Sequence, residues 1–274
     1  MPLPCATPRV TIAIVVHNGL AVTRACLESL RATTEPFALA IVDNGSTDDT
    51  PGFFGAFPLP FPLRYVRNAA NGSVLAAYNQ AWRLADTEFV CLLHNDTEML
   101  EPRWLERLLE PHARPETGLT GLYGAKRVRR DGRYAARTIV HSLAERPRVR
   151  GPYEEVAAVD GVCLCLRRAV LEEVGGLDEG YGFFHGYDRD LSFAVRERDR
   201  HCYVVDASFR HRGGATRTRD FAQRPEAQQR DLVLRRAAMR RFAEKFAHRL
   251  PYDVRGVAGR VGDWLADAVS RRRA

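Results

Sequence analysis

The stretch "VTIAIVVHNGLAVTRACLESLRATTEPFALAIVDNGSTDDT", residues 10–50, sets two apolar runs on either side of an amphipathic segment, and each run stops at polar residues. Residues 10–16 read as a buried strand, 20–32 as a helix with Ala25, Leu27 and Leu30 inward, and 38–43 as a second buried strand. Strand, helix and parallel strand make the repeating unit of an α/β sheet. The first strand ends at His17-Asn18 and the second at Asp43-Asn44-Gly45-Ser46. In an open parallel sheet, ligands bind beyond these carboxyl ends, where loops meet helix N-termini. Asp43 is placed to accept hydrogen bonds from a base or ribose, Gly45 permits a tight turn, and Ser46 or Thr47 suits the cap of the next helix. The same residues also suit a solvated turn with an ordinary cap, and this stretch alone leaves both readings open.

Outward from this unit the alternation continues: a strand near 62–66, a helix over 73–85, a strand at 88–94 and a helix carrying Trp104, Leu105, Leu108 and Leu109. The strand at 88–94 ends at His94-Asn95-Asp96-Thr97. Asp96, flanked by His94 and Asn95 and followed by Glu98, suits a hard divalent cation, Mg²⁺ or Mn²⁺, that keeps waters and bridges phosphates. Residues 112–158 are rich in Arg, Gly and Pro and read as short strands with a variable loop around 142–155. Regular structure returns at "VDGVCLCLRRAVLEEVGGLDE", followed by a helix over 188–198, a strand at 202–206 and helices over 225–249 and 254–271.

A chain of 274 residues with 45% hydrophobic and 27% charged composition holds one substantial α/β domain, alone or elaborated. Cys5, Cys26, Cys91, Cys163, Cys165 and Cys202 sit mostly in apolar stretches and read as buried free thiols rather than a disulfide framework. The first apolar run is too short for a signal peptide or a membrane span, so a cytoplasmic protein is expected. The net charge of +7 suits an anionic partner. A non-catalytic binding module for nucleic acid or membrane would account for that charge. It would not account for carboxylates and histidines at three strand ends, which repel or ignore phosphate unless a metal intervenes, so no nucleic-acid partner is expected.

The basic residues allow more than one reading. Arg210, Arg212, Arg217 and Arg219 fit either a bidentate diphosphate clamp or a solvated face. The helix over 225–249 presents Leu234, Ala238, Phe242 and Phe246 on one side and Arg235, Arg236, Arg240 and Arg241 elsewhere. Residues 254–269 repeat this with Val254, Val257, Val261, Trp264, Leu265 and Ala268, ending in Arg271-Arg272-Arg273. Packing on the domain is expected, although such a basic amphipathic tail also fits peripheral contact with an anionic membrane. In "GGLDEGYGFFHGYDRDLSF", glycines surround Tyr181, Phe183, Phe184 and Tyr187, a loop with aromatic faces on which sugars stack. Asp188 and Asp190 then open a helix whose dipole their charges complement.

Taken in order, "IAIVVHN", "IVDNGSTDDT", "NAANGSVLAAYNQAW", "FVCLLHNDTEM" and the block from "VDGVCLCLRR" to "FRHRGG" resemble the family 2 glycosyltransferases, from Val10 to Gly214. The resemblance implies an α/β, GT-A type fold: a Rossmann-like, mostly parallel central sheet with helices on both faces, plus C-terminal helices. It implies a catalytic domain over 1–214, with a donor half up to residue 110 and an acceptor half from 111, and a helical extension over 215–274 packed on it. The implied partners are a nucleoside-diphosphate-sugar donor and a hydroxyl-bearing acceptor. His17, Asn18 and Asp43 would lie at the nucleotide, Asn71, Gly72 and Asn79 would line the donor site, and His94 or Asn95 would contact the ribose. The family's metal-binding Asp-x-Asp falls on His94-Asn95-Asp96, which keeps only Asp96, and His211 matches a histidine that reaches the metal or diphosphate. Its Glu-Asp pair falls on Tyr187-Asp188, leaving Asp188 as general base of an inverting transfer. Asp160-Gly161 looks like its acceptor-side turn, and Asp190 lies on the same side. A sugar-phosphate nucleotidyltransferase is the rival enzyme. It would be expected to carry a Gly-rich basic loop after the first strand, where "VVHNGLAVTR" has one glycine.

Overall fold

Residues 10–16 are β-branched at every position but Ala13, and the strand they form, β1 (Val10–Val16), is buried on both faces. The computed structural model describes residues 7–56, 60–213, 225–258 and 260–261. From β1 the chain runs through α1 (Leu20–Ser29), β2 (Phe37–Asp43), α2 (Thr50–Ala56), β3 (Leu63–Arg67), α3 (Val74–Arg83), β4 (Phe89–Leu93), β5 (Thr97–Met99) and α4 (Trp104–Leu109). Then follow β6 (Thr117–Gly121), β7 (Tyr123–Ala125), β8 (Arg127–Val128), β9 (Ile139–His141), β10 (Tyr153–Val156), β11 (Ala158–Val159), β12 (Cys163–Arg167) and α5 (Arg168–Glu173). The chain continues with α6 (Tyr187–Arg196), β13 (His201–Val205), β14 (Phe209–His211), α7 (Pro225–Lys245) and β15 (Tyr252–Asp253).

Eight strands form the central sheet in the order β10-β13-β6-β12-β4-β1-β2-β3. β1 pairs in parallel with β2 and β4, β2 with β3, and β6 with β13, while β12 and β10 run against their neighbours. The carboxyl ends of β1, β2 and β4 therefore share one edge. β12 begins there too, since Cys163 pairs with Leu93. Alternation along β1 divides the core: Ile12, Ile14 and Val16 pack with Leu27 and Leu30 near α1 and with Trp104 of α4, whereas Ala13 and Val15 belong with Leu75 and Trp82 of α3 and with Leu191 and Phe193 of α6. Helices on both faces are what strands this apolar require.

The departures from the expected elements have local causes. The first helix gives way at Leu30 to a 3₁₀ turn, ahead of Thr33-Thr34-Glu35-Pro36, where β-branching and an X-Pro step disfavour helix. Within the expected loop around 142–155, Tyr153–Val156 is an edge strand, paired with β13 through only four residues. Ala25 is half-buried, while Thr23 and Cys26 take the inward positions beside Leu27. The thiols of Cys26, Cys91, Cys163, Cys165 and Cys202 are free and buried; Cys5 lies outside the described residues. Among the described residues, no helix is long and apolar enough to cross a membrane.

The second half of α7 packs on the domain. Phe242 meets Phe193 edge-on and Phe246 at a tilt, with ring centroids 5.0 and 5.2 Å away, and Ala238 is buried with them. β15 returns to pair with β8, and Val254 packs beside it. Val257 and Val261, expected inward, are exposed at 70% and 48%. Trp264, Leu265, Ala268 and Arg271-Arg272-Arg273 lie outside the described residues.

Candidate active site

The ends of β1 and β2 are clasped by their own polar residues. Asn18 takes a left-handed backbone (φ 54°), which asparagine tolerates. Its Oδ1 accepts from the amides of Thr47 (2.7 Å) and Asp48 (3.2 Å), and its amide donates to Ser46 Oγ. The Ser46 hydroxyl is thus spent on β1 rather than on a cap. Asp48 serves the helices instead, accepting from Leu20 N at the start of α1 and Thr50 N at the start of α2. Gly45, at φ 76°, lies against the next loop so closely that a Cβ would sit 2.4 Å from the Ala70 carbonyl carbon.

Asn44 is the hub joining this clasp to the loop before α3. Its Nδ2 donates to Asn71 Oδ1 (3.2 Å) and Gly72 O (2.8 Å), its Oδ1 accepts from Asn68 Nδ2, and its carbonyl lies 3.0 Å from His17 Nδ1. His17, Asn18, Asn71 and Gly72 are thereby brought together. Asp43 is fully buried: Oδ1 accepts from Ser46 N (2.8 Å) and Oδ2 from Tyr65 OH (2.9 Å), with Arg67 nearby. Burial, then the Asp43 carboxylate, pushes the Tyr65 phenol up to about 12. Asn79 is not in this group. It is 3% exposed; its Nδ2 donates to Leu177 O and Glu179 Oε1, and its Oδ1 accepts from Trp82 Nε1 and Leu177 N. All its polar capacity goes to stapling α3 to the loop after α5.

The end of β4 meets a two-stranded ribbon in which β5 pairs antiparallel with β14, Thr97 opposite His211. β5 separates Asp96 from α4, so Asp96 caps no helix. The ligand atoms of His94, Asp96 and His211 all lie within 4.8 Å of one another. His211 Nε2 stands 3.1 Å from Asp96 Oδ1, yet it is buried and makes no hydrogen bond among the described residues; the adjacent Thr97 hydroxyl is likewise buried without one. A buried nitrogen at this distance without hydrogen-bond alignment fits two donors facing a shared cation, since adjacent ligands with bonds of about 2.1 Å lie about 3 Å apart. These residues therefore fit a divalent ion. Asn95 turns away, donating to Thr23 Oγ1 on α1. Glu98 is held by Arg210 and Arg212 and does not join the cluster, which leaves those arginines on a carboxylate. Arg217 and Arg219 lie outside the described residues.

Of the residues expected on the acceptor side, Asp160 and Gly161 precede β12 while Tyr187, Asp188 and Asp190 open α6. Tyr187 OH lies 2.9 Å from His94 Nε2, joining the two sides. The Asp188 carboxylate receives Arg189 Nη1 at 3.2 Å on both oxygens, and that guanidinium sits 3.9 Å from the Tyr134 ring centroid while its Nε donates to Gly132 O. Burial first, and then the charge of Asp188, raise the Asp160 carboxyl to about 6, with Arg189 offsetting part of this. Asp190 belongs to the scaffold: its Oδ1 accepts from Tyr181 OH (2.8 Å) and Lys245 Nζ (2.7 Å), and Lys245 and Arg241 also hold Asp178. Of the expected aromatic faces, Tyr181 and Tyr187 are buried, Phe184 is half-buried and Phe183 is exposed.

A doubly wound sheet of this order, with nucleotide-type loops at β1 and β2 and a His/Asp cluster on a ribbon beside two carboxylates, defines a GT-A glycosyltransferase fold. Residues 11–175 match the family described as Glycosyl transferase family 2, and the chain belongs to that family and carries its glycosyltransferase domain. The fold is similar to that of GalNAc-T7, solved with UDP, GalNAc and Mn²⁺ (TM-score 0.60, 14% identity, covering 74% of this chain and 44% of that one). It is also similar to the mannosyltransferase PcManGT from Pyrobaculum calidifontis, solved with GDP-Man and Mn²⁺ (TM-score 0.54, 18% identity, 73% and 56% covered). In sequence the chain is 31% identical over 209 residues to the uncharacterized protein y4gI of Sinorhizobium fredii, covering 69% of this chain and 23% of y4gI. It is 28% identical over 195 residues to the O-antigen biosynthesis protein RfbC of Myxococcus xanthus, covering 64% and 15%. The chain thus spans less than a quarter of the length of these relatives.

Proposed function

We propose that this domain transfers a glycosyl group from a nucleoside-diphosphate-sugar to a hydroxyl acceptor with inversion at the anomeric carbon. The observation that carries the reading is the meeting, at one sheet edge, of the His94, Asp96 and His211 cluster with the carboxylates of Asp160 and Asp188. His17, Asn18 and the Asn71-Gly72 loop, tied together by Asn44, form the nucleotide side. Asp43 acts there by shaping the turn, since both its oxygens are engaged. Asp96 and His211 would hold the divalent ion, which when bound supplies positive charge to the departing diphosphate.

Asp188 accepts the proton of the acceptor hydroxyl as that oxygen bonds to the anomeric carbon, and the nucleoside diphosphate leaves with the electrons of the broken C–O bond. Arg189 orients the Asp188 carboxylate through its two contacts. Phe183, exposed in the loop before α6, offers a face to the acceptor sugar. The first half of α7 exposes Leu232 and Val233 near Arg235 and Arg236, and this supports peripheral contact with an anionic surface carrying the acceptor.

Calorimetry with UDP-, GDP-, CMP- and dTDP-sugars, with and without Mn²⁺, tests the donor assignment. Binding of one nucleotide class, strengthened by Mn²⁺, is expected; no binding of any of them with metal present overturns it. An anomeric configuration retained in the product would overturn the inverting assignment alone.

A further inference from the structure

Two positions at which this chain departs from the family pattern touch each other. Tyr187 stands where a carboxylate is implied, His94 where the first metal-binding aspartate is implied, and the Tyr187 hydroxyl lies 2.9 Å from His94 Nε2. The same hydroxyl lies 3.4 Å from the Gly161 carbonyl, and a Cβ on Gly161 would come within 2.4 Å of it, so a glycine is what leaves it room. A carbonyl only accepts. The hydroxyl that donates to Gly161 O is free to accept from His94 through the same oxygen, which is the pairing that goes with an Nε2–H tautomer. That arrangement leaves the neutral imidazole's lone pair on Nδ1, the nitrogen 4.0 Å from Asp96 Oδ1. Tyr187 is 4% exposed and packs against Tyr78 at 6.0 Å, so the hydroxyl is held firmly.

We infer that Tyr187 is a positioning residue that turns His94 Nδ1 into a third ligand beside Asp96 and His211, and that this two-imidazole, one-carboxylate set selects a first-row transition ion such as Mn²⁺ over Mg²⁺. Mg²⁺ takes oxygen ligands and keeps several waters, whereas imidazole suits first-row transition ions, of which Mn²⁺, itself partial to oxygen and at the weak end of the row, is the mildest case. Seen this way, the histidine and the tyrosine act as one unit: His94 offers a nitrogen ligand and Tyr187 orients it. The inference rests on the metal-assisted reading above for its place in the reaction, but not for its test.

The test titrates Mn²⁺ and Mg²⁺ separately, first alone and then with UDP or GDP, into the wild type, Tyr187→Phe, His94→Ala and the double variant, reading free Mn²⁺ by electron paramagnetic resonance and Mg²⁺ by calorimetry. Tyr187→Phe keeps the ring and should leave the metal-free melting temperature nearly unchanged while weakening Mn²⁺ about 10- to 100-fold, the usual effect of losing a group that orients a ligand. His94→Ala should weaken Mn²⁺ at least as much, and adding Tyr187→Phe to it should change nothing further. His94→Asp should narrow the preference for Mn²⁺ over Mg²⁺. Wild-type Mn²⁺ affinity in Tyr187→Phe, an equal further loss in the His94→Ala background, or equal Mn²⁺ and Mg²⁺ affinity in the wild type overturns the inference, as does no Mn²⁺ binding under either condition. Tyr187-dependent Mn²⁺ binding in a protein that binds no nucleotide-sugar keeps this inference and overturns the proposed function alone.

Discussion

Around Asn44 and Asn79 the side-chain amides are engaged by other protein groups, whereas around His211 and Asp160 a buried ring nitrogen makes no hydrogen bond among the described residues and two carboxylates crowd one arginine. Both regions are polar; Asn44, His211 and Asp160 lie at strand ends and Asn79 on α3. The first has its hydrogen bonds closed within the protein and so contributes to folding; the second leaves buried polar capacity unspent, which costs folding free energy and is tolerated where a ligand completes it. The contrast separates polar residues whose capacity is closed within the fold from those with capacity left for a ligand.

The largest break in that contrast should come from Asp188→Asn. Turnover is expected to fall roughly 10²- to 10⁴-fold, the usual range for a positioned base, with nucleotide affinity nearly intact by calorimetry. Near wild-type turnover would remove Asp188 from the reacting side. Asn79→Ala should do the reverse, leaving Trp82 Nε1 and the Leu177 amide buried without their acceptor. A loss of about 2–4 kcal/mol in urea unfolding is expected, and a loss confined to donor binding would return Asn79 to the site.

Asp160 gives a smaller, pH-dependent effect. Its folded carboxyl keeps its proton to about 6, while an unfolded aspartate loses it near pH ~4. The folded state thus binds more protons between these values, and its stability falls as pH rises through that window. Asp160→Asn should match the wild type at the acid end and exceed it by about 1–3 kcal/mol at pH 8, read by urea unfolding; a constant offset at both pH values would show that burial and Asp188 do not act on this group. Smallest is the stability change in metal-free His211→Ala. Because Nε2 makes no hydrogen bond among the described residues, less than about 1 kcal/mol is expected, and a larger loss would place His211 with the scaffold.

The apolar strands and the polar residues closing them were legible because β1, β2 and β4 are buried on both faces and leave little room for other readings. Asp96 stood out for the same reason. The ribbon that carries it did not, because β5 and β14 are three residues each and owe their pairing to one another. Asn79 was misplaced since an amide on an amphipathic helix reads alike whether it faces a ligand or a tryptophan. Asn44, Tyr65, Tyr134 and Arg189 were passed over: Tyr65 acts on Asp43 from a distant point in the sequence, and Arg189, though it acts on its neighbour Asp188, is anchored by the distant Gly132 and Tyr134. For Arg189, its place between two acidic residues at a helix start was the one available signal.

The pairing of β5 with β14 sets Arg212 against Glu98 across 114 residues of chain. Contacts of such sequence separation close late and slowly in folding, because the intervening loop entropy is lost before the contact rewards it. The loops joined by Asn44 are assembled from neighbours no further along the chain than Gly72, so the His94, Asp96 and His211 cluster should be the last part of the edge to form during refolding. An ion that binds only there stabilises the finished state by mass action, roughly 2.7 kcal/mol at a hundredfold excess over its dissociation constant. Mn²⁺ uptake followed in a stopped-flow refolding experiment would then time the closure of the ribbon itself.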